Sequence, residues 1–127
     1  MTEEFDAVVV GGGPCGSLSA LTAAELGAKV AVCEEHESIG IPTNCTGHLN
    51  LNGLKRLRLL PLPRNIVENE FRGVTFHSPY GREFSIRFDS PVTCAINREL
   101  FDRHLADLAM RAGVEYRLGF RVESPII

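Results

Sequence analysis

The sequence predicts an α/β fold: a βαβ core on a parallel sheet, with an antiparallel β-meander added to it. Three observations predict this. A valine-rich run, FDAVVV (5–10), ends in three glycines; a stretch of small and helix-forming residues, GSLSALTAAEL (16–26), follows; and a second apolar run, AKVAVC (28–33), comes next. Continuous apolar runs of this length suit strands buried on both faces, as in parallel sheets. Two parallel strands need a crossover, and the intervening helix supplies it. Within that helix Leu18, Leu21 and Ala24 or Glu25 keep helical spacing, and Gly27 stands where a C′ glycine ends a helix.

The remaining elements follow in order. HESIGIPTNCTG (36–47) is loop-like, with two glycines and a proline. In 48–60, Leu49, Leu54 and Leu57 oppose Lys55, Arg56 and Arg58, which predicts an amphipathic helix ended by Pro61 and Pro63. FRGVTFHS (71–78) and REFSIRF (82–88) alternate in polarity around the turn SPYG, so they read as an antiparallel hairpin, with PVTCAI (91–96) as a third strand. A broad apolar face of Leu100, Phe101, Leu105, Leu108, Ala109 and Ala112 predicts a helix over 97–113, with Asn97 as N-cap and Gly113 as its end. VEYRLGFRV (114–122) is a strand signal interrupted at Gly119. The expected layout is three layers: strands 5–10, 28–33 and 114–118 parallel, helices 16–26 and 98–112 packed on them, and the meander as a separate small sheet. The core then occupies 5–35 and 97–118, the loop and short helix 36–63, and the meander 70–96.

Composition narrows the function classes. With 127 residues, 44% hydrophobic and 23% charged, the chain suits one domain and is too apolar to be disordered. No run of 18 apolar residues occurs, and MTEEFDAVVV lacks the basic start of a secretory signal. Cys15, Cys33, Cys45 and Cys94 form no CxxC pair and no zinc spacing, so no metal site is expected and a reducing, cytoplasmic setting is the default. Residues 1–40 hold seven Asp/Glu against one Lys, and the later residues nine against twelve Lys/Arg. The basic residues are dispersed without interleaved aromatics, which argues against nucleic acid. The basic face of 48–60 is read as solvated, with peripheral membrane contact as the alternative. His36, His48, His77 and His104 are isolated in sequence and are assigned exposed or structural roles.

The chemistry gathers at Gly11, Gly13 and Gly16, a GxGxxG turn between strand and helix. The first glycine permits the tight turn, the second lets the backbone approach a pyrophosphate, and the third lets the helix pack close to the strand. The helix start then directs free N–H groups and the positive dipole end at the phosphates. Glu34 closes the second strand 23 residues after Gly11, placed to accept hydrogen bonds from ribose hydroxyls. Glu35 is the neighbouring candidate; strand alternation lets one of the two reach the ribose. Together these make a Rossmann-like, FAD/NAD(P)-type core. A carboxylate at this place opposes a 2′-phosphate, so NADP is disfavoured. The ligand should cross the C-terminal ends of strands 5–10 and 28–33, and a bulky residue at Gly13 should abolish nucleotide binding.

The stretch VVVGGGPCGSLSALTAAELGAKVAVCEE resembles the start of FAD-dependent oxidoreductases of the group that includes aromatic hydroxylases, ring-type halogenases and geranylgeranyl reductases. IGIPTNCTGHL (39–49) resembles the PxxCxG segment of the geranylgeranyl reductase family, through Pro42, Cys45 and Gly47. INRELFDRHLADLAMRAG (96–113) resembles that family's arginine-led helix, through Arg98, Phe101, Asp102 and Leu105. The resemblance implies FAD as cofactor and saturation of C=C bonds in geranylgeranyl or other isoprenoid chains on a lipid, a chlorophyll precursor or a quinone. It implies FAD contacts at Gly11, Gly13, Gly16, Glu34 and Arg98, and Pro14, Cys15, Glu35 and Cys45 complete the set of expected cofactor-binding residues. It places the Cys45 loop on the flavin-ring side, where Cys45 is the candidate catalytic residue. The implied partners are an isoprenoid-lipid substrate and an electron donor, reduced ferredoxin or NAD(P)H. The alternatives are a flavin monooxygenase or other flavin dehydrogenase of the same fold, or a truncated nucleotide-binding fragment without activity. Relative to the family the fold is expected to be incomplete: it lacks the later Gly-Asp motif and the second domain.

Overall fold

The computed structural model describes residues 3–124. Its elements in chain order are β1 (Ala7–Val10), α1 (Pro14–Glu25), β2 (Val30–Cys33), β3 (His48–Asn50), α2 (Leu51–Arg56), β4 (Val67–Phe71), β5 (Gly73–His77), β6 (Glu83–Arg87), β7 (Thr93–Ile96), α3 (Arg98–Arg111) and β8 (Glu115–Arg117). The chain divides into two compact units: one runs up to Thr43 and resumes at Glu99, and the other spans Asn44–Arg98.

The first unit holds the expected parallel sheet, in the order β1-β2-β8. Ala7 stands opposite Val30 and Val10 opposite Cys33, while Ala31 to Cys33 pair with Glu115 to Arg117. All four residues of β2 are buried, as a central parallel strand requires. α1 begins two residues before the expected start, with Pro14 in its first turn, where a missing N–H costs nothing. Gly27, at φ +93°, ends it as expected, and Gly113, at φ +96°, follows α3. Ala20 of α1, Val30 and Val32 of β2, Ala109 of α3 and Val114 share one buried cluster. Both helices therefore cover the same face of the sheet, and the described residues do not form the expected three layers. The reason lies in β1: Ala7 and Val9 pack against that cluster, while Val8 and Val10 on the alternate face remain 57% and 64% exposed.

The second unit departs further from expectation. β7 is the centre of an antiparallel sheet ordered β3-β7-β4, and β5 and β6 form a separate two-stranded hairpin. Residues 91–96 are therefore not the third strand of the meander. The short β3 and the bulged β4 were not foreseen: three residues carry no readable period, and the register shift between Val67 and Asn69 breaks the alternation of β4. Pairing of His48–Asn50 with β7 also shortens the helix expected over 48–60 to Leu51–Arg56. Asn50 caps it, its Oδ1 accepting from the Gly53 N–H at 3.0 Å. Arg58 at φ +57° turns the chain away before the prolines are reached. The hairpin itself forms as predicted around 78–81, with Val74 opposite Ile86 and Phe76 opposite Phe84.

Candidate functional site

The turn between β1 and α1 shows why each glycine stands where it does. Gly11 has φ +101°, a conformation that side chains rarely adopt. A Cβ on Gly16 would collide with the Gly11 carbonyl oxygen, so the third glycine sets how closely helix and strand pack. A Cβ on Gly13 would meet nothing within 4 Å; the space beside it is open. A glycine that the spacing rule leaves unassigned, Gly12, is also confined: its Cβ would lie 2.6 Å from Ile39 Cδ1 and 3.3 Å from Glu34 Cβ.

The Gly12 peptide is fixed at both ends. Its N–H donates to Glu34 Oε2 at 2.7 Å, and its carbonyl accepts from the buried Ser17 hydroxyl at 3.1 Å. The Tyr116 hydroxyl of β8 donates to Ser17 Oγ at 2.8 Å and continues the chain of bonds. Burial pushes the pKa of Tyr116 up, the Asp107 charge adds to this and the Ser17 bond opposes it; the phenol stays a donor. Further along the turn, the Gly11 N–H donates to Cys33 O and the Ser17 N–H to Gly13 O. Among the described residues, no protein acceptor meets the N–H groups of Gly13, Cys15 or Gly16, and Gly13 as N-cap has no side chain to satisfy them.

Glu34 is the carboxylate that reaches this turn. Its backbone is held on both sides, N–H to Arg117 O at 2.9 Å and carbonyl to Phe120 N–H at 2.8 Å. Burial pushes its carboxyl pKa up, but hydrogen bonds from the His36 and Gly12 backbone and from the His36 ring outweigh that, and the net shift is downward. Glu35 turns to Arg121, 3.6 Å away, on the exposed side. His36 is not isolated: its ring Nδ1 lies 2.6 Å from Glu34 Oε1. His77 likewise meets Glu83 at 3.3 Å, and His48 stacks on Phe71 at 5.4 Å. A sequence pattern cannot show such pairs, because β2 ends and the chain folds back within two residues of Glu34. A cavity of about 130 Å³ is lined by Gly12, Gly13, Glu34, His36, Ile39 and Asp102, among others.

Cys45 and Arg98 belong to the other unit. Cys45 is exposed. Arg98 opens α3, directly after the Asn97 expected to cap it. Gly47, at φ +71°, explains part of the PxxCxG pattern. A Cβ there would strike the Ile96 carbonyl oxygen and lie 3.4 Å from Arg98 Cγ, so within this unit Gly47 packs closely on the chain at residues 96–98. Cys33 and Cys94 are buried, and burial followed by the Glu70 charge pushes the Cys94 thiol up. Among the described residues, no group of His, Cys, Asp and Glu is placed to hold a metal ion, and no helix is long and apolar enough to cross a membrane.

Fold and turn together define an α/β protein with a dinucleotide-type glycine turn: the FAD binding domain family matches residues 6–53, and FAD is the cofactor this supports. Over most of its length the chain is similar in sequence to proteins named digeranylgeranylglycerophospholipid reductase, at 31–39% identity. Digeranylgeranylglycerophospholipid reductase 2 of Methanopyrus kandleri is 36% identical over 115 residues, which are 91% of this chain and 28% of that protein. A geranylgeranyl bacteriochlorophyll reductase-like protein of Thermoplasma acidophilum superposes with TM-score 0.85 at 31% identity, over 91% of this chain and 30% of that one. A triple mutant of the flavin-dependent brominase Bmp2 gives TM-score 0.71 at 28% identity, over 91% and 30%. The chain thus spans less than a third of the length of the curated relatives it matches.

Proposed function

We propose that residues 11–16 and Glu34 hold the ADP half of FAD, and that this FAD serves an oxidoreductase saturating C=C bonds of geranylgeranyl chains on a lipid. The observation that carries the reading is the set of N–H groups on Gly13, Cys15 and Gly16, without acceptors among the described residues, at the start of α1 beside the anchored Glu34 carboxylate. The residues present fit the group. Three donors and the helix dipole suit a pyrophosphate, the open space at Gly13 admits it, and a carboxylate suits ribose hydroxyls. Pro14 starts the helix without spending a donor, and Gly11 and Gly16 permit the turn. Glu35, engaged with Arg121, stands outside this site.

Bound FAD supplies hydride chemistry from its reduced ring. The chain's own part is to bind and orient the cofactor. In this reading Arg98 binds its phosphate or ribose region, and the Cys45 thiol lies on the flavin-ring side as a proton donor to the alkene. An isoprenoid lipid is the substrate, reduced ferredoxin or NAD(P)H the donor of electrons, and the cytoplasm the setting, with peripheral contact to the membrane that carries the lipid.

FAD titration followed by thermal unfolding tests the cofactor part: FAD raises the midpoint in a concentration-dependent way, and an unchanged midpoint refutes it. The reaction is tested anaerobically with a geranylgeranyl glycerophospholipid and a reductant. Products gain two hydrogens per bond saturated. The likeness to a brominase supports a second reading, an oxygen-using flavoenzyme, and an oxygen-dependent product without saturation would select it.

A further inference from the structure

His36 takes no part in the reading above, yet it decides how Glu34 can meet a ribose. Glu34 Oε1 accepts twice, from the His36 N–H at 2.9 Å and from the His36 ring Nδ1 at 2.6 Å. Oε2 accepts once, from the Gly12 N–H at 2.7 Å. A carboxylate oxygen has about two lone-pair sites, so Oε1 is saturated and Oε2 keeps one. The ring hangs from a fixed backbone, because the His36 carbonyl accepts from the Gly119 N–H at 2.9 Å while Phe120 and Arg117 hold Glu34. The Glu34 side chain is 12% exposed and that of His36 46%, so the histidine forms the outer wall of the pair.

We propose that His36 is a positioning residue for the nucleotide ribose: by occupying Oε1 it holds the Glu34 carboxylate so that one hydroxyl is taken, at Oε2. This role rests on the dinucleotide reading of the turn. The ring must carry a proton on Nδ1, as the neutral Nδ1–H tautomer or the imidazolium.

The test compares ADP with 2′,3′-dideoxy-ADP by calorimetric titration of the 127-residue chain, its His36→Ala variant and its His36→Asn variant. The unaltered chain prefers ADP by about tenfold, the worth of a hydrogen bond to a charged group. In His36→Ala the preference falls to about threefold or less, with dideoxy-ADP affinity kept. His36→Asn, whose side-chain N–H can replace that of Nδ1, restores it. A general structural defect weakens both ligands equally and leaves the ratio intact; an unchanged or wider ratio in His36→Ala overturns the proposal. If ADP shows no saturable binding to the unaltered chain, the dinucleotide reading fails and this role fails with it. A measurement free of any ligand is the ¹⁵N resonance pattern of the His36 ring above its titration. A neutral ring protonated mainly on Nδ1 supports the bond to Glu34, and one protonated mainly on Nε2 overturns it.

Discussion

β2 and β6 are both short strands rich in apolar residues, and they end in opposite environments. Every residue of β2 is buried, between β1 and β8 and under two helices. Every residue of β6 is exposed, although Phe84 and Ile86 face Phe76 and Val74 across the hairpin. The difference teaches that burial follows the number of layers an element meets, and hydrophobicity only permits it. A two-stranded hairpin has one neighbour and no cover, and such a unit is marginal in water. The parallel unit has a helical layer on one face and carries the turn, Ser17, Tyr116 and Glu34 as one hydrogen-bonded assembly.

The largest effect is expected where the parallel unit is tightest. Gly16→Val would press its side chain into the Gly11 carbonyl, and a loss of about 3 kcal/mol or more in urea unfolding is expected; tolerance of valine would break the account of the close helix–strand contact. Gly13→Asp separates binding from folding. The aspartate is a favourable N-cap and meets open space, so stability holds, while its charge opposes a pyrophosphate and lowers ADP affinity by about a hundredfold. Equal affinity in a titration would remove Gly13 from the site.

Glu34→Gln should weaken ADP by about tenfold and also flatten the acid dependence of stability. The sign follows from the lowered carboxyl pKa. The unfolded group titrates near its ordinary value of 4.5 and the folded one below it. The contribution is therefore complete above that value and is lost as pH falls through the folded pKa. Urea midpoints at about pH 7 and about pH 3.5 should differ less in the glutamine variant. The smallest effect belongs to the hairpin. Phe76 and Phe84 stack at 4.8 Å while both stay half exposed. Phe76→Ala should cost below about 1 kcal/mol and leave ADP affinity unchanged; a large loss would mean that the hairpin is packed more deeply than its exposure indicates.

Much of the parallel unit was legible because its signals are local. The valine runs, the glycine spacing and Gly27 each act within a few residues, and β1, α1 and β2 fall close to where they were expected. Glu34 was legible by its distance from the turn, and the hairpin by its alternation. The rest was not, because it depends on residues far apart in sequence. Gly12 is constrained by Glu34, 22 residues on, and Ser17 is reached by Tyr116, 99 residues on. The partners of β7, and with them β3, β4 and the shortening of α2, depend on pairing across 22 to 47 residues that no periodicity records.

The sequence by itself determined the class of fold and the glycine turn, because local backbone freedom and apolar period are written into residue types, and its motifs carried the likeness to FAD-dependent geranylgeranyl reductases. Tertiary structure alone decided that Glu34 bonds the turn while Glu35 bonds Arg121, that His36 closes the Glu34 carboxylate, and that both helices cover one face of the sheet. Those outcomes depend on which donors, acceptors and methyl groups meet after the chain has crossed over, and a hydrogen bond between distant residues leaves no spacing to read.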